Sequence, residues 1–134
     1  MAPKLLLDTH IVIRWLAEPK KLSRNQTRTL ETAVKRSEPV ALSMMTLLEI
    51  AVLTADGRLR HKASMDEMLV ELQANPVFRV LPVTIEIATD VVSLGGALRD
   101  PADRAIVSTA RTHRLRLVTS DQRIIESNLV PVVE

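Results

Sequence analysis

The sequence of 134 residues has no cysteine and only two aromatic residues, Trp15 and Phe78. Without cysteine the chain has neither disulfide bridges nor thiolate metal ligands, and this composition suits the reducing cytoplasm, where we expect the protein to act. Two aromatic side chains are too few for the stacking platform on which single-strand-binding proteins hold successive bases. Any nucleic acid would therefore have to be held through its phosphates and its shape.

Long apolar runs and glycine-rich loops are also missing. No apolar run approaches the ~18–20 residues that cross a bilayer, and the three leucines near the start end at Asp8, too soon for a signal peptide. No membrane partner is therefore expected. The chain has three glycines, no glycine-rich loop after its first apolar segment and no P-loop pattern, so nothing in it resembles a phosphate cradle.

What the sequence does contain is enough for a folded core. Apolar residues make up 46% of the chain, which is too many for a disordered segment. The length favours one domain spanning residues 1–134, because no internal repeat or linker divides the chain. The net charge of +2 is mild, so it permits a nucleic-acid partner without requiring one.

Short apolar runs alternate with longer segments of helical periodicity along the whole chain. Strands are predicted at Lys4–Asp8, Pro39–Ser43, Phe78–Val83, Leu115–Thr119 and Val130–Val133. Helices are predicted at Ile11–Ala17, Arg24–Arg36, Met45–Ala55, Met65–Ala74 (capped by Ser64), Ile85–Leu94 and Asp103–His113, and a short turn or helix is predicted at Asp121–Ser127. This alternation predicts an α/β fold with a mostly parallel sheet of four to five strands and helices on both faces.

Four acidic residues fall at one edge of the predicted sheet. Asp8 ends the first strand, and Asp121 lies just past the fourth. Asp103 begins the helix that leads to the fourth strand, and Glu49 lies in the helix after the second strand. Ligands of open α/β sheets bind at the carboxyl ends of the strands. We therefore expect these four side chains to lie near one another, with Asp100 as a further acid close by.

Such a cluster needs positive charge to balance it. Two carboxylates ~4 Å apart repel by roughly 4 kcal/mol at an effective dielectric of ~20. Oxygen ligands suit hard cations, so Mg²⁺ is the expected cofactor and Mn²⁺ the alternative. Two such ions about 4 Å apart can hold the attacking and leaving oxygens of a phosphodiester. The acids therefore predict metal-assisted phosphodiester hydrolysis.

Each acid also has a purely structural interpretation. An aspartate at the start of a helix can cap it, and the positions that allow this are Asp8, Asp100 and Asp121. Glu49 could form an ion pair with an arginine, either Arg14 or Arg104. If all the acids had such roles, the protein would be a non-catalytic α/β binding module rather than an enzyme.

The histidines and arginines give weaker signals. His10, His61 and His113 lack the spacing of metal ligands, and we place His10 at the rim of the site. Six arginines surround the segment that carries Asp103 and Asp121: Arg99, Arg104, Arg111, Arg114, Arg116 and Arg123. They either face phosphates or form a solvated surface.

Four segments, LLLDTH, SMMTLLEIAVL, RDPADRAIVSTA and LVTSD, resemble in order and spacing the PIN-domain family. More narrowly, they are similar to the VapC-type toxins of bacterial toxin–antitoxin pairs, in the subgroup that begins with D-T-H. The resemblance covers nearly the whole chain. It implies a three-layer α/β/α sandwich and an endoribonuclease that depends on Mg²⁺ or Mn²⁺ and cleaves RNA. It also implies a homodimer and a cognate VapB-like antitoxin whose C-terminal segment blocks the site.

The resemblance assigns the site residue by residue. Asp8, Glu49, Asp103 and Asp121 match the four acids of the family, and Asp100 matches an additional acid of this subgroup. Asp8 and Asp103 are the expected direct metal ligands, and Glu49 or Asp121 the expected proton acceptor.

Three neighbouring positions depart from the family pattern. Leu48 stands where a tryptophan often precedes the glutamate, Leu98 where a histidine is common, and Ala102 where phenylalanine is usual. These departures affect packing and substrate contacts. The acids themselves are intact, so the sequence still predicts an active enzyme.

Overall fold

A computed structural model of the protein describes residues 1–57 and 65–134. Within them, five strands form one sheet in which every pairing is parallel, in the order β3-β2-β1-β4-β5. The strands are β1 Leu5–Leu7, β2 Val40–Ser43, β3 Phe78–Leu81, β4 Arg116–Val118 and β5 Val132–Val133. The predicted α/β class and the predicted mostly parallel sheet of four to five strands are confirmed, with five strands present.

Seven α-helices are found in the described residues, each at a predicted place. They are α1 Thr9–Ala17, α2 Arg24–Lys35, α3 Met44–Ala55, α4 Met65–Ala74, α5 Ile85–Ser93, α6 Pro101–His113 and α7 Gln122–Ser127. Helices α1 and α6 begin two residues earlier than predicted, and a short 3₁₀ turn at Pro19–Lys21 was not predicted. The predicted cap Ser64 lies outside the described residues. None of these helices is long and apolar enough to cross a membrane.

Helices cover both faces of the sheet, so the three-layer α/β/α architecture is confirmed. Side chains alternate along β1: Leu5 and Leu7 join the core formed with α1, α2, α3 and α4. Leu6 points the other way, into the core formed with α6 and α7. All three leucines are almost fully buried, as a continuous apolar strand in the centre of a parallel sheet requires.

The strand register brings three strand ends into line. The central strand β1 lies between β2 and β4, and Leu7 is paired with Leu42 on one side and Val118 on the other. The residues that follow these three positions are Asp8, Ser43 and Thr119. The chain therefore enters α1, α3 and the β4–α7 connection from one common edge of the sheet.

Helix α3 is less buried than its sequence suggests. Its nearly continuous apolar composition predicts packing on several sides, and the helix does pack against α1, α4, α6 and β2, but one face stays uncovered. Met44, Leu48 and Val52 are 43%, 57% and 45% exposed, and their four-residue spacing places them on one face. No element of the described residues buries this face, so an apolar stripe remains at the surface.

Candidate acidic site at the carboxyl edge of the sheet

Asp8 is the buried centre of the acidic edge, with 3% of its surface exposed. One carboxylate oxygen accepts a 2.8 Å hydrogen bond from the backbone N–H of Thr9, which caps α1. The other accepts a 2.7 Å bond from the hydroxyl of Thr119 at the end of β4. The cap interpretation of Asp8 is thus confirmed, and the same carboxylate also joins two neighbouring strands.

Glu49 reaches this edge from the second turn of α3. Its carboxylate accepts a hydrogen bond from the Thr9 hydroxyl, which also lies 3.0 Å from the Thr46 hydroxyl. Thr9 therefore links Asp8, through its backbone, to Glu49, through its side chain. The ion pair between Glu49 and Arg14 or Arg104 is not formed within the described residues.

Arg104 instead binds backbone carbonyls. Its guanidinium donates to Gly95 O at 2.7 Å, to Leu98 O at 2.6 Å and to Val91 O at 2.7 Å. These contacts tie the end of α5 and the following loop to α6 immediately after Asp103. The expectation that Arg104 faces phosphates or Glu49 is therefore wrong. A guanidinium has five N–H donors, and three clustered carbonyls hold it without a carboxylate.

Asp121 follows β4 and caps α7. Its carboxylate accepts a 2.9 Å hydrogen bond from the backbone N–H of Arg123, whose guanidinium lies 3.5 Å from the second oxygen. The backbone N–H of Asp121 donates to the Thr119 hydroxyl at 3.0 Å. Because that hydroxyl itself donates to Asp8, Thr119 fixes the position of Asp121 relative to Asp8.

Asp100 and Asp103 share the first turn of α6. Asp100 caps the helix by accepting bonds from the backbone N–H of Ala102 at 2.8 Å and of Asp103 at 3.3 Å, with Pro101 as the first helical residue. The cap interpretation of Asp100 is confirmed. While it caps the helix, Asp100 also lies close enough to Asp103 and Glu49 to contribute to their raised pKa values.

The pKa of Asp103 is raised to about 6. Burial is the largest cause, followed by the negative charges of Asp100, Asp8, Asp121 and Glu49. The pKa of Glu49 is also raised, first by burial and then by Asp8 and Asp100, although its hydrogen bond from Thr9 opposes the shift. The other four predicted acids therefore all lie within electrostatic range of Asp103.

The donor chemistry of this edge fits a hard cation. Its oxygen donors are carboxylates, and their negative charges add to the effect of burial in raising the pKa of Asp103. Within residues 1–57 and 65–134, however, no three His, Asp or Glu side chains converge as a complete cation cage. The acids are held near one another by their cap and threonine contacts, with oxygen donors that an ion and its waters would complete.

Sequence reasoning missed one polar residue that supports the site, Gln26, and it did not specify the contacts of His10. Gln26, fully buried on α2, donates to Thr119 O at 3.2 Å and to the Ser120 hydroxyl at 2.9 Å. His10 accepts a 2.9 Å bond from the Ser120 N–H through Nε2, and its Nδ1 lies 3.5 Å from Asp8. The Ser23–Gln26 capping box is a readable signal for the start of α2. Nothing in the sequence indicates that Gln26 also donates to Thr119 O and to the Ser120 hydroxyl.

The pKa of His10 is lowered, because burial outweighs the attraction of Asp8. This agrees with Nε2 acting as an acceptor, which requires the neutral ring. His10 thus lies at the rim of the site as predicted, whereas His61 lies outside the described residues. His113 is exposed in the last turn of α6.

Two more of the clustered arginines are placed away from the acids. Arg111 binds Asp90 at 2.9 Å and Leu129 O at 3.0 Å, which fastens α6 to α5 and to the chain end. Arg116 starts β4 and so lies at the opposite edge of the sheet.

The Asp103→Asn substitution is expected to stabilise the metal-free protein at pH 7.5. In the folded state the pKa of Asp103, about 6, exceeds its ordinary value of 3.8, so the fold favours the protonated form. Wild-type stability should therefore fall as the pH rises from about 4 to about 6. Urea unfolding in EDTA between pH 3.5 and 8 measures this, and the gain should disappear below about pH 4.

Asp90→Asn is the control, because it is expected to change the stability at neutral pH in the opposite direction. Burial alone would raise the pKa of Asp90, but hydrogen bonds from Arg111 and Ser93 lower it overall. This variant should therefore lose stability at neutral pH and match the wild type in acid. A loss of stability at pH 7.5 for Asp103→Asn would contradict the raised pKa of Asp103 in the folded protein.

Comparisons with known proteins agree with this architecture. Residues 5–127 match the PIN domain. Ribonuclease VapC22 of Mycobacterium tuberculosis is 32% identical over 121 residues, which cover 90% of this chain and 88% of that protein. The solved VapBC2 of Rickettsia felis, bound to a DNA fragment from its promoter, has a TM-score of 0.72 at 15% identity and 96% coverage of each chain. FitAcB of Neisseria gonorrhoeae has a TM-score of 0.71 at 23% identity, over 97% of this chain and 96% of that one.

The two solved structures support the fold, and the domain match with the similar ribonuclease supports the family. The resemblance predicted from the four sequence segments is therefore confirmed: this chain belongs to the PIN-domain family.

Proposed function

We propose that this protein is an endoribonuclease that hydrolyses RNA phosphodiester bonds with the help of Mg²⁺, Mn²⁺ being the alternative ion. The observation that carries the proposal is the convergence of five carboxylates on one sheet edge, where burial, and then the negative charges of the other four acids, raise the pKa of Asp103 to about 6. The similarity to a protein named ribonuclease VapC22 supports RNA as the substrate. We further propose that it is the cytoplasmic toxin of a VapBC-type pair, built as a single PIN domain over residues 1–134.

We assign the metal-holding role to Asp8, Glu49, Asp103 and Asp121, with Asp100 adding charge while it caps α6. Asp8 and Asp103 are the proposed direct ligands. An ion bound there would lower the pKa of a water and offset the charge of the phosphodiester. The protein's own contribution is to hold these carboxylates close together despite their repulsion.

The remaining steps of the reaction depend on side chains that hydrogen bonds hold in position. Thr9 and Thr119 hold Asp8 by hydrogen bonds from two sides, so its oxygens cannot turn away from the edge. Glu49 has a raised pKa, which makes it a better proton acceptor than an ordinary surface glutamate. We propose that Glu49 takes the proton of the attacking water, with Asp121 as the alternative acceptor.

We expect the purified protein to cleave RNA with Mg²⁺ and to lose cleavage in EDTA and in Asp8→Asn. Asparagine preserves the volume and the helix cap, so the variant should fold while losing one charged oxygen. Gel analysis of candidate RNAs measures cleavage, and Asp66→Asn, a change on the exposed surface of α4, is the matched control. Equal cleavage under all conditions would point to a contaminating nuclease and overturn the proposal.

A non-catalytic module would show the same cap contacts at Asp8, Asp100 and Asp121, so a binding measurement accompanies the cleavage assay. Ligand that binds only the native state stabilises it, by about 2.7 kcal/mol at a hundred times Kd. Mg²⁺ should therefore raise the melting temperature of the wild type more than that of Asp8→Asn. The absence of any Mg²⁺-linked rise would favour the non-catalytic module.

A VapB-like antitoxin is the proposed protein partner. The solved structures that share this fold include VapBC2 and a toxin–antitoxin complex from Klebsiella pneumoniae. The product of a small reading frame directly upstream is the candidate. We expect it to co-purify with this protein and to suppress RNA cleavage in proportion to its amount. Co-purification without suppression would contradict a partner that blocks the acidic edge.

A homodimer is the second proposed assembly, supported by the apolar stripe Met44, Leu48 and Val52 on α3. The neighbouring groove continues onto α4, where Val70 is 63% exposed. Apolar surface concentrated in this way commonly marks a protein interface.

We expect Leu48→Lys to convert a dimer into a monomer, because the lysine places a charge in the middle of the apolar stripe. Sedimentation equilibrium measures the mass in solution. Leu16→Lys, at a leucine of similar exposure on α1, is the matched control and should leave the dimer intact. A wild-type monomer, or a dimer in both variants, would contradict the proposed interface.

A further inference from the structure

We infer that a line of cations along α2, which we call the phosphate track, binds the backbone of the RNA beyond the acidic edge. The track consists of six side chains: Lys4, Lys20, Arg24, Arg28, Arg36 and Arg116. The inference rests on the proposed function, since it names the path that the substrate takes away from that site.

Helix α2 and its end place these cations on one surface. Arg24 and Arg28 are four residues apart and lie on one side of α2, and Arg36 directly follows the last helical residue. Arg24 and Arg28 line a hollow together with Lys20, and Arg28 also lines a second hollow with three further cations, Lys4, Arg36 and Arg116. Arg28 therefore joins the two hollows into one continuous track.

The cations of the track are poorly neutralised. In the part of the chain that the structure describes, Lys4 is the one member with an ion pair, at 3.4 Å from Glu38. Six cations and two carboxylates, Glu31 and Glu38, give the track a net charge of +4. The whole chain carries +2, so the residues outside the track sum to −2. Positive charge is thus concentrated here rather than spread over the surface, and a polyanion is its natural complement.

The helix that carries Arg24 and Arg28 begins beside the acidic edge. On its buried side, Gln26 is hydrogen-bonded to Thr119 O and to the hydroxyl of Ser120, the residue before Asp121. The other end of the track reaches Arg116, which starts β4 at the opposite edge of the sheet. Helix α2 has 12 residues, which span roughly 18 Å at 1.5 Å per residue. A strand with one phosphate at the acids could therefore extend along several of these cations.

RNA fits the track better than an acidic protein segment does. The cations lead directly away from the carboxylates where the cleaved phosphate would lie, and a single chain of phosphates has the same linear arrangement. With two aromatic residues in the whole chain, binding has to depend on phosphates rather than on stacked bases. Such binding is sequence-tolerant and strongly salt-dependent.

The test measures binding of an unstructured oligouridylate to the Asp8→Asn protein in Mg²⁺ over a series of NaCl concentrations. Each phosphate contact to a single strand contributes about 0.7 to the slope of log K against log salt. Adding the two substitutions Arg24→Gln and Arg28→Gln to the Asp8→Asn protein should therefore make the slope shallower by about 1.4 and weaken binding at low salt. Arg79→Gln is the control, because Arg79 is exposed and pairs with Ala41, whose side chain packs on the other face of the sheet.

The control should leave the slope unchanged. Equal slopes for the control and for the double variant would overturn the track. A double variant that binds RNA normally but loses the antitoxin would also overturn it, in favour of a protein-docking surface. If the wild type fails to cleave RNA but the slopes differ as expected, the proposed function fails and the track stands. If it cleaves while the slopes agree, the proposed function stands and the track fails.

Discussion

The acidic edge depends on how the fold satisfies one buried carboxyl group, that of Asp8. A polar group so far from water is costly unless it is hydrogen-bonded. Its two oxygens receive the Thr9 N–H and the Thr119 hydroxyl, one from the helix that follows and one from the neighbouring strand. Those two threonines also hold Glu49 and the backbone of Asp121. Satisfying one buried group therefore gathers acids from three separate segments.

The sequence was sufficient to predict the sheet and the acids, since both follow from local patterns. Apolar runs mark the strands, and parallel strands end at one edge, so Asp8 and Asp121 could be placed together from the sequence alone. Contacts between residues that are far apart in the sequence have no local pattern from which they could be predicted. Gln26 and Thr119 are 93 residues apart, and nothing in either segment specifies the other. The exposure of Leu48 was not predicted, because the composition of a helix does not distinguish an apolar face that is buried from one that is exposed at the surface.

The mild net charge of the chain conceals two strongly charged regions of opposite sign. Burial, and then the charges of neighbouring acids, raise the pKa values of Asp103 and Glu49 at one edge, while the cations beside α2 form few ion pairs with carboxylates. Because like charges repel one another within each region, this separation of charge is electrostatically unfavourable at both regions of a protein of 134 residues. A function that brings metal cations to one region and phosphates to the other would relieve both at once.

Arg104 has a consequence for how this protein can change over evolution. Surface loops usually tolerate insertions, because few contacts fix their backbone. In the loop between α5 and α6, the carbonyls of Gly95 and Leu98 both converge on the Arg104 guanidinium. An inserted residue would move at least one of these carbonyls out of reach and disturb the turn that presents Asp100 and Asp103. We therefore expect the length of this loop to be invariant among relatives that retain the arginine, even where its side chains differ freely.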